Sequence, residues 1–193
     1  MIVRRYNGIL VPKNHLKYDD IKKDLNRTVQ EWNGTFTKMK FYEDYEDGIL
    51  IPRFYPIEPI QDMSIAGDNV DIQSTIVPRN TRQEQVIQYL ISNKSGVMKL
   101  EPGSGKTVLS IDVICKIGKR AIVFVHKNSL RDQWKQEALT WTNLKEEDIG
   151  ILKSATFKKD LKKPLIISTV QGFCSLLQNK HAREDLKSFQ CAH

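Results

Sequence analysis

The sequence is poor in everything that would mark a membrane, secreted or zinc-stapled protein. No apolar run approaches the roughly 18–20 residues that a membrane helix needs. The N-terminal stretch from Met1 to Tyr6 carries two arginines, but no apolar core and no small-residue cleavage site follow it, so no signal peptide is expected. Cysteine is scarce: Cys115, Cys174 and Cys191 lie far apart with no Cys-x-x-Cys pair. That spacing argues against a disulfide framework and against a zinc site, and it fits a reducing, cytoplasmic setting. The four histidines are scattered and read as ordinary core or surface residues rather than a ligand set. There is no internal repeat and no low-complexity tract.

The chain does have 193 residues, enough for one α/β domain and a smaller one beside it. Its charge is unevenly placed. Residues 1–75 hold 10 Lys/Arg against 12 Asp/Glu, whereas residues 76–193 hold 20 against 11. The basic excess of the second stretch fits a polyanionic partner such as DNA or RNA, and fits plain solubility charge equally well.

Two styles of patterning follow one another along the chain. Up to Ile60 the order reads strand, helix, hairpin: a β-rich stretch from Val3 to Val11, helical spacing over Asp19–Glu31, a strand over Thr35–Tyr42, an acidic turn ending in Asp47-Gly48, and a return strand from Gly48 to Ile57. Pro52 places that last strand at a sheet edge. The stretch to Pro78 is polar, interrupted by Pro59 and Gly67, and reads as a linker. Beyond it, helices over Arg82–Ser92, Lys106–Ile117 and Ser129–Leu139 alternate with apolar strands over Gly96–Leu100, Ala121–Val125 and Leu165–Ser168, and a last helix starts near Gln171. Asn128 or Ser129 is the expected cap of the third helix. Apolar strands separated by helices imply a mostly parallel sheet.

The chemistry sits in Glu101-Pro102-Gly103-Ser104-Gly105-Lys106-Thr107, between an apolar strand and an amphipathic helix. Gly103 and Gly105 can take backbone angles that turn amides toward an anion. The helix that begins near Lys106 aims its positive end at the same point. The Lys106 ammonium suits the β- and γ-phosphates of a nucleoside triphosphate, and the Thr107 hydroxyl suits Mg²⁺. Leu100 stands where the strict P-loop pattern has glycine.

That departure, with three further segments, resembles the superfamily 2 helicases and translocases, whose loop reads x-x-Pro/Thr-Gly-x-Gly-Lys-Thr. Arg79 to Gln83 resembles the segment whose glutamine pairs with adenine, an amide offering both a donor and an acceptor. Gln83 is preferred there over Gln85. Leu130-x-x-Gln133-Trp134, after the strand Ala121–Val125, resembles the motif whose loop and helix start meet nucleic-acid phosphate, with His126-Lys127 in place of Pro-Thr. Ile167-Ser168-Thr169-Val170-Gln171 resembles the segment that lies along bound DNA. Trp134 reads as packing, and the five lysines between Lys153 and Lys163 read as a solvated hairpin.

The resemblance covers residues 76 to 193 and lies nearest to phage-type repair helicases and restriction translocases. It implies an α/β fold built on the parallel sheet of a RecA-like P-loop NTPase, incomplete toward the C-terminus and preceded by a small α+β accessory domain. The expected division is 1–60 accessory and open to DNA binding, 61–77 linker, and 78–193 the first motor domain. It implies ATP held by Arg79, Gln83, Pro102, Gly103, Ser104, Gly105, Lys106 and Thr107, with Mg²⁺ on Thr107 and with Lys106 and Thr107 acting in catalysis. It implies DNA, single-stranded or branched, contacted by Lys127, Ser129, Thr169 and Gln171. The family's second catalytic motif, an apolar strand ending Asp-Glu-x-His, does not occur. Binding of nucleotide and DNA without turnover is therefore expected of this chain, as the front portion of a motor.

Overall fold

The computed structural model describes residues 2–5, 8–58, 61–62, 67–93, 96–153 and 156–178. The chain divides into two units, Met1–Ile65 and Ala66–His193.

In the first unit β1 (Val3–Arg5), β2 (Gly8–Pro12), α1 (Tyr18–Asp24), β3 (Asn26–Gln30), β4 (Phe36–Lys40), β5 (Glu43–Tyr45), β6 (Gly48–Ile51) and β7 (Gln61–Asp62) follow in order. A five-stranded sheet runs β5-β6-β2-β1-β7, and β3 and β4 form a separate two-stranded ribbon. Ile9 and Val11 of β2 pack with Ile49 and Ile51 of β6, and α1 adds Ile21 to the same core, beside Leu25. The helix expected over residues 19–31 stops at Asp24. β-branched Thr28 and Val29 instead pair with Lys38 and Thr37 across the ribbon, because a partner strand rewards the extended form of such side chains. The strand expected from Gly48 to Ile57 ends at Ile51, just ahead of Pro52, and lies inside the sheet between β5 and β2 rather than at its edge.

The second unit contains α2 (Thr81–Asn93), α3 (Lys106–Ile117), β8 (Ala121–Val125), α4 (Asn128–Trp141), β9 (Ile149–Ile151), α5 (Phe157–Asp160), β10 (Leu165–Thr169) and α6 (Val170–Leu177). Its sheet is parallel throughout, ordered β8-β10-β9. One face, with Val123, Leu165, Ile167 and Ile149, packs against Ile111 of α3 and Ala138 of α4. The other face presents Ile166 to Phe157, Leu161 and Leu176 from α5 and its flank and from α6. Helix α3 is buried on a second side, where Leu109 and Val113 meet Ile87 of α2. Asp112, 1% exposed, is neutralised within α3 by Lys116 at 2.6 Å.

Four expectations are revised here. Residues 96–100 belong to no strand among the described residues: a strand needs a neighbour for its ladder hydrogen bonds, and the sheet does not extend to this segment. Helix α4 begins at Asn128 with Lys127 in the cap position and no side-chain cap bond, since the Asn128 amide oxygen is held by Arg131 instead. The lysine-rich stretch is not a solvated hairpin throughout. It contains α5, with Phe157 and Leu161 buried at helical spacing and Asp160 buried against Thr156 and Lys163. The stretch read as linker also contributes to the core. Ile72 is 5% exposed, and residues 68–75 form an extended strap along the ends of α3 and α4. Its hydrogen bonds include Arg120 N–H to Asp68 O, Val70 N–H to Gly118 O, and Thr75 N–H to Trp141 O. No helix among the described residues is long and apolar enough to cross a membrane.

Candidate functional site

Residues 101–105 turn sharply from the segment beside α2 into α3. Gly103 and Gly105 both lie in the left-handed region, at φ +78° and +84°, a conformation that costs glycine nothing and a β-carbon-bearing residue about 1–2 kcal/mol. A β-carbon on Gly103 would meet nothing within 4 Å, so the backbone, not space, calls for glycine there. Ser104 closes the turn with its N–H and hydroxyl both donating to the Glu101 carbonyl, at 3.3 and 2.6 Å. The Gly105 carbonyl accepts from Leu109 N–H. The amides of Lys106, Thr107 and Val108 thus stand at the open N-terminus of a twelve-residue helix, where helical bonding leaves them without partners and the dipole favours an anion.

The Lys106 ammonium folds back to donate to the carbonyls of Leu100 and Glu101, at 3.0 and 2.8 Å. Thr107 is half-buried in the first turn of α3, and its hydroxyl makes no hydrogen bond among the described residues. Pro102 and Gly103 are exposed at the tip.

Gln83 comes to this loop from α2. Its amide N–H donates to the Ser104 carbonyl at 3.0 Å, and its amide oxygen accepts Arg79 N–H at 2.7 Å. Asn80 sets the glutamine in place: its side-chain oxygen accepts Gln83 N–H at 3.0 Å, as a helix cap does. With the Gln83 side chain returning to the backbone ahead of the helix, this is a capping box shifted by one residue. Arg79, Asn80, Arg82, Gln83, Leu100, Glu101 and Ser104 together line a cavity of about 230 Å³. Gln85 lines a different cavity, on the far side of Arg82 and Leu100. Arg79, Gln83 and Ser104 are therefore brought together, next to Gly105, Lys106 and Thr107 in the chain. Asn80 was not among the residues singled out from sequence, although Asn80-x-x-Gln83 ahead of an apolar-periodic stretch is a helix-start signal.

A second group of expected site residues collects at the carboxyl edge of the sheet. β8 and β10 are neighbours with Val125 opposite Thr169, so the loop from His126 and the start of α6 leave the sheet side by side. Lys127 and Ser129 are exposed at the entry to α4, and Gln171 is exposed in the first turn of α6. Thr169 caps α6, its hydroxyl oxygen accepting Gly172 N–H at 3.1 Å, which leaves the O–H free to donate. Phe124, 45% exposed on β8, stands edge-on to Phe173 of α6 with 4.8 Å between ring centroids. Sequence reading missed it because it belongs to an apolar strand. Trp134 packs against the core of this unit.

Among the described residues no group of three or more His, Cys, Asp or Glu could hold a metal ion by itself. The open amides of α3 are donors suited to phosphate oxygens, and the Thr107 hydroxyl is a single oxygen of the kind Mg²⁺ takes.

The family described as "Type III restriction enzyme, res subunit" matches residues 76–191. The chain belongs to this family. Relatives that it matches carry helicase names. An ATP-dependent RNA helicase of Acanthamoeba polyphaga mimivirus is 29% identical over 92% of this chain and 37% of its own length. The XPB/SSL2 helicase/translocase subunit of the general transcription and DNA repair factor IIH of Saccharomyces cerevisiae is 25% identical over 70% of this chain and 17% of its own. Helicase D10 of Escherichia phage T5 is 27% identical over 55% and 22%. The chain thus spans little more than a third of the first of these and about a fifth of the others. With its family match and its parallel α/β unit, the chain groups with the superfamily 2 helicases, and its second unit has a RecA-like α/β fold.

Proposed function

We propose that this chain supplies the ATP-binding and first DNA-contacting parts of a superfamily 2 helicase or translocase. Residues 1–60 would serve as an accessory domain and residues 78–193 as part of the first motor domain, in a cytoplasmic setting. The observation that carries the proposal is the convergence of Arg79 and Gln83 with Ser104 on one cavity beside the open N-terminus of α3. In this reading the adenine amino group and ring nitrogen exchange places with the partners that Gln83 now holds, and Arg79 covers the base. The amides after Gly103 receive the phosphates. Lys106 swings from the Leu100 and Glu101 carbonyls to the β- and γ-phosphates. Thr107 would hold Mg²⁺, which when bound would neutralise charge on the triphosphate.

Lys127, Ser129, Thr169 and Gln171 supply donors for a DNA backbone at the carboxyl edge of β8 and β10. Hydrolysis in this family needs an Asp-Glu-x-His strand that the sequence does not contain, so the proposal for this chain is binding without turnover. The test is a titration of fluorescent ATP and of labelled single-stranded and forked DNA, with Lys106→Ala and a Lys127→Ala/Thr169→Ala double variant. Loss of nucleotide binding in the first and of DNA binding in the second supports the proposal. Equal binding of both ligands by all three proteins sinks it. A restriction-system translocase subunit shares the same motor, and the family description favours it as the second reading.

A further inference from the structure

The ribbon formed by β3 and β4 stands apart from the five-stranded sheet of its unit and gives no residue to its core. Its register places Asn26 opposite Lys40, Thr28 opposite Lys38, and Gln30 opposite Phe36. Side chains alternate between faces along a strand, so these six share one face, and all six are exposed. The other face carries Val29 and Thr37, both half-buried, with Arg27 and Met39, both exposed. The exposed face therefore has two lysines, two amides, one hydroxyl, one phenyl ring and no carboxylate. At the tip, Trp32 occupies the turn closed by Glu31 N–H to Thr35 O at 2.8 Å and Gly34 N–H to Glu31 O at 2.9 Å.

Trp32 is 97% exposed and Phe36 70%, the one in the turn and the other just beyond it. Burying such rings is a main source of folding energy, yet Trp32 is almost wholly in solvent and Phe36 mostly so. Three nearby carboxylates are already engaged: Glu31 accepts from the Thr37 hydroxyl at 2.5 Å, Asp24 pairs with Arg27, and Asp44 pairs with Lys22 and Lys40. Lys38 has no ion-pair partner among the described residues. Exposed rings beside the uncommitted Lys38 and amide donors match the two surfaces of a single strand: the faces of unpaired bases and the phosphates that link them.

We propose that the β3–β4 ribbon is a second nucleic-acid contact, in which Trp32 and Phe36 stack on unpaired bases and Lys38 meets the adjoining phosphate. The proposal rests on the preceding reading only for the chemical class of the partner, since all of its residues lie in the first unit. Stacking is open to any base, so the contact is indifferent to sequence. It is closed to intact duplex, whose bases are already stacked on one another.

The test is fluorescence anisotropy of a labelled 20-residue oligodeoxythymidine, its uridine counterpart and a duplex of equal length, with the full 193-residue chain. Trp32→Ala/Phe36→Ala is expected to weaken single-strand binding by about tenfold or more, and Trp32→Phe to stay within about threefold of the parent. Duplex binding is expected to be unchanged. Thermal midpoints should move little, because Trp32 is unpacked and Phe36 is mostly exposed. The DNA and RNA arms show which single strand is preferred. Lys127→Ala/Thr169→Ala separates the two surfaces: if it changes nothing while the ring variant does, the motor-edge reading fails and the ribbon stands. Single-strand binding by the ring variant within twofold of the parent overturns the proposal. So does a self-association that the ring variant abolishes while leaving oligonucleotide binding intact, because a second copy of the chain would then be the occupant of this face.

Discussion

Gln83 and Ser104, twenty-one residues apart, are joined by a 3.0 Å hydrogen bond from the glutamine amide to the loop carbonyl. The same amide also accepts Arg79 N–H, so one side chain ties the start of α2 to the turn that leads into α3. In the proposed reading, base recognition and the shape of the phosphate loop are thereby linked through a single residue.

Replacing that residue should be felt at the nucleotide. Gln83→Ala removes two hydrogen bonds, each worth about 0.5–1.5 kcal/mol net. Affinity for a fluorescent ATP analogue is expected to fall about 5- to 100-fold, with loss of any preference for ATP over GTP. An unchanged preference in competition titrations would show that the base is read elsewhere.

Asn80 acts on the same bond from behind. Asn80→Ala is expected to cost about 1 kcal/mol of stability as a lost helix cap, and Asn80→Gly only a few tenths. Urea unfolding measures both, and a smaller loss of nucleotide affinity than in Gln83→Ala should accompany the alanine variant.

Lys106 donates only to two main-chain carbonyls, one of them exposed to solvent. Lys106→Ala should therefore leave the thermal midpoint nearly in place, since water can serve those carbonyls. Nucleotide affinity should fall more than about tenfold, because charge-assisted bonds to phosphate are roughly twice as strong as neutral ones. A variant that unfolds would point to a structural role instead.

The strap over residues 68–75 invites a stability test. Ile72→Ala empties a buried site and is expected to cost about 2–5 kcal/mol. Val77→Ala, at a position 81% exposed, should stay within about 0.5 kcal/mol. Equal effects on the urea midpoint would mean that the strap is not packed.

Cys115 has its thiol pushed up to about 11 from 9.0 by burial first and by the neighbouring Asp112 second. A raised thiol value means stability that is present below 9.0 and lost as pH rises through about 11. Between those limits the parent protein should lose more stability than Cys115→Ala. At pH 8, peptide mapping after iodoacetamide should show exposed Cys174 alkylated well ahead of Cys115.

Much of the second unit could be read from local signals. Gly103, Gly105 and the following Lys106-Thr107 announce a left-handed turn into a helix, and α3 starts at Lys106 as expected. Ala121–Val125 and the stretch from Leu165 are continuous apolar runs of strand length, and both are strands of a parallel sheet, the second buried and the first only in part. In the first unit, residues 19–31 have helical spacing throughout, but the helix stops at Asp24 and beyond it the pairing of β3 with β4 won.

What the chain settled alone is chemistry at short range: which residues bend, cap, alternate or carry charge, since each depends on neighbours a few positions away. The tertiary structure decided everything that needed a distant partner. Segment 96–100 has strand composition but no ladder to join, while polar-looking residues 68–75 gained a place beside the core because α3 and α4 end where their N–H groups can be used. Gln83 rather than Gln85 faces the loop because helix packing, which buries Ile87 against Leu109 and Val113, sets the rotation of α2. Packing of that kind is a property of surfaces brought together, and no single stretch of sequence contains it.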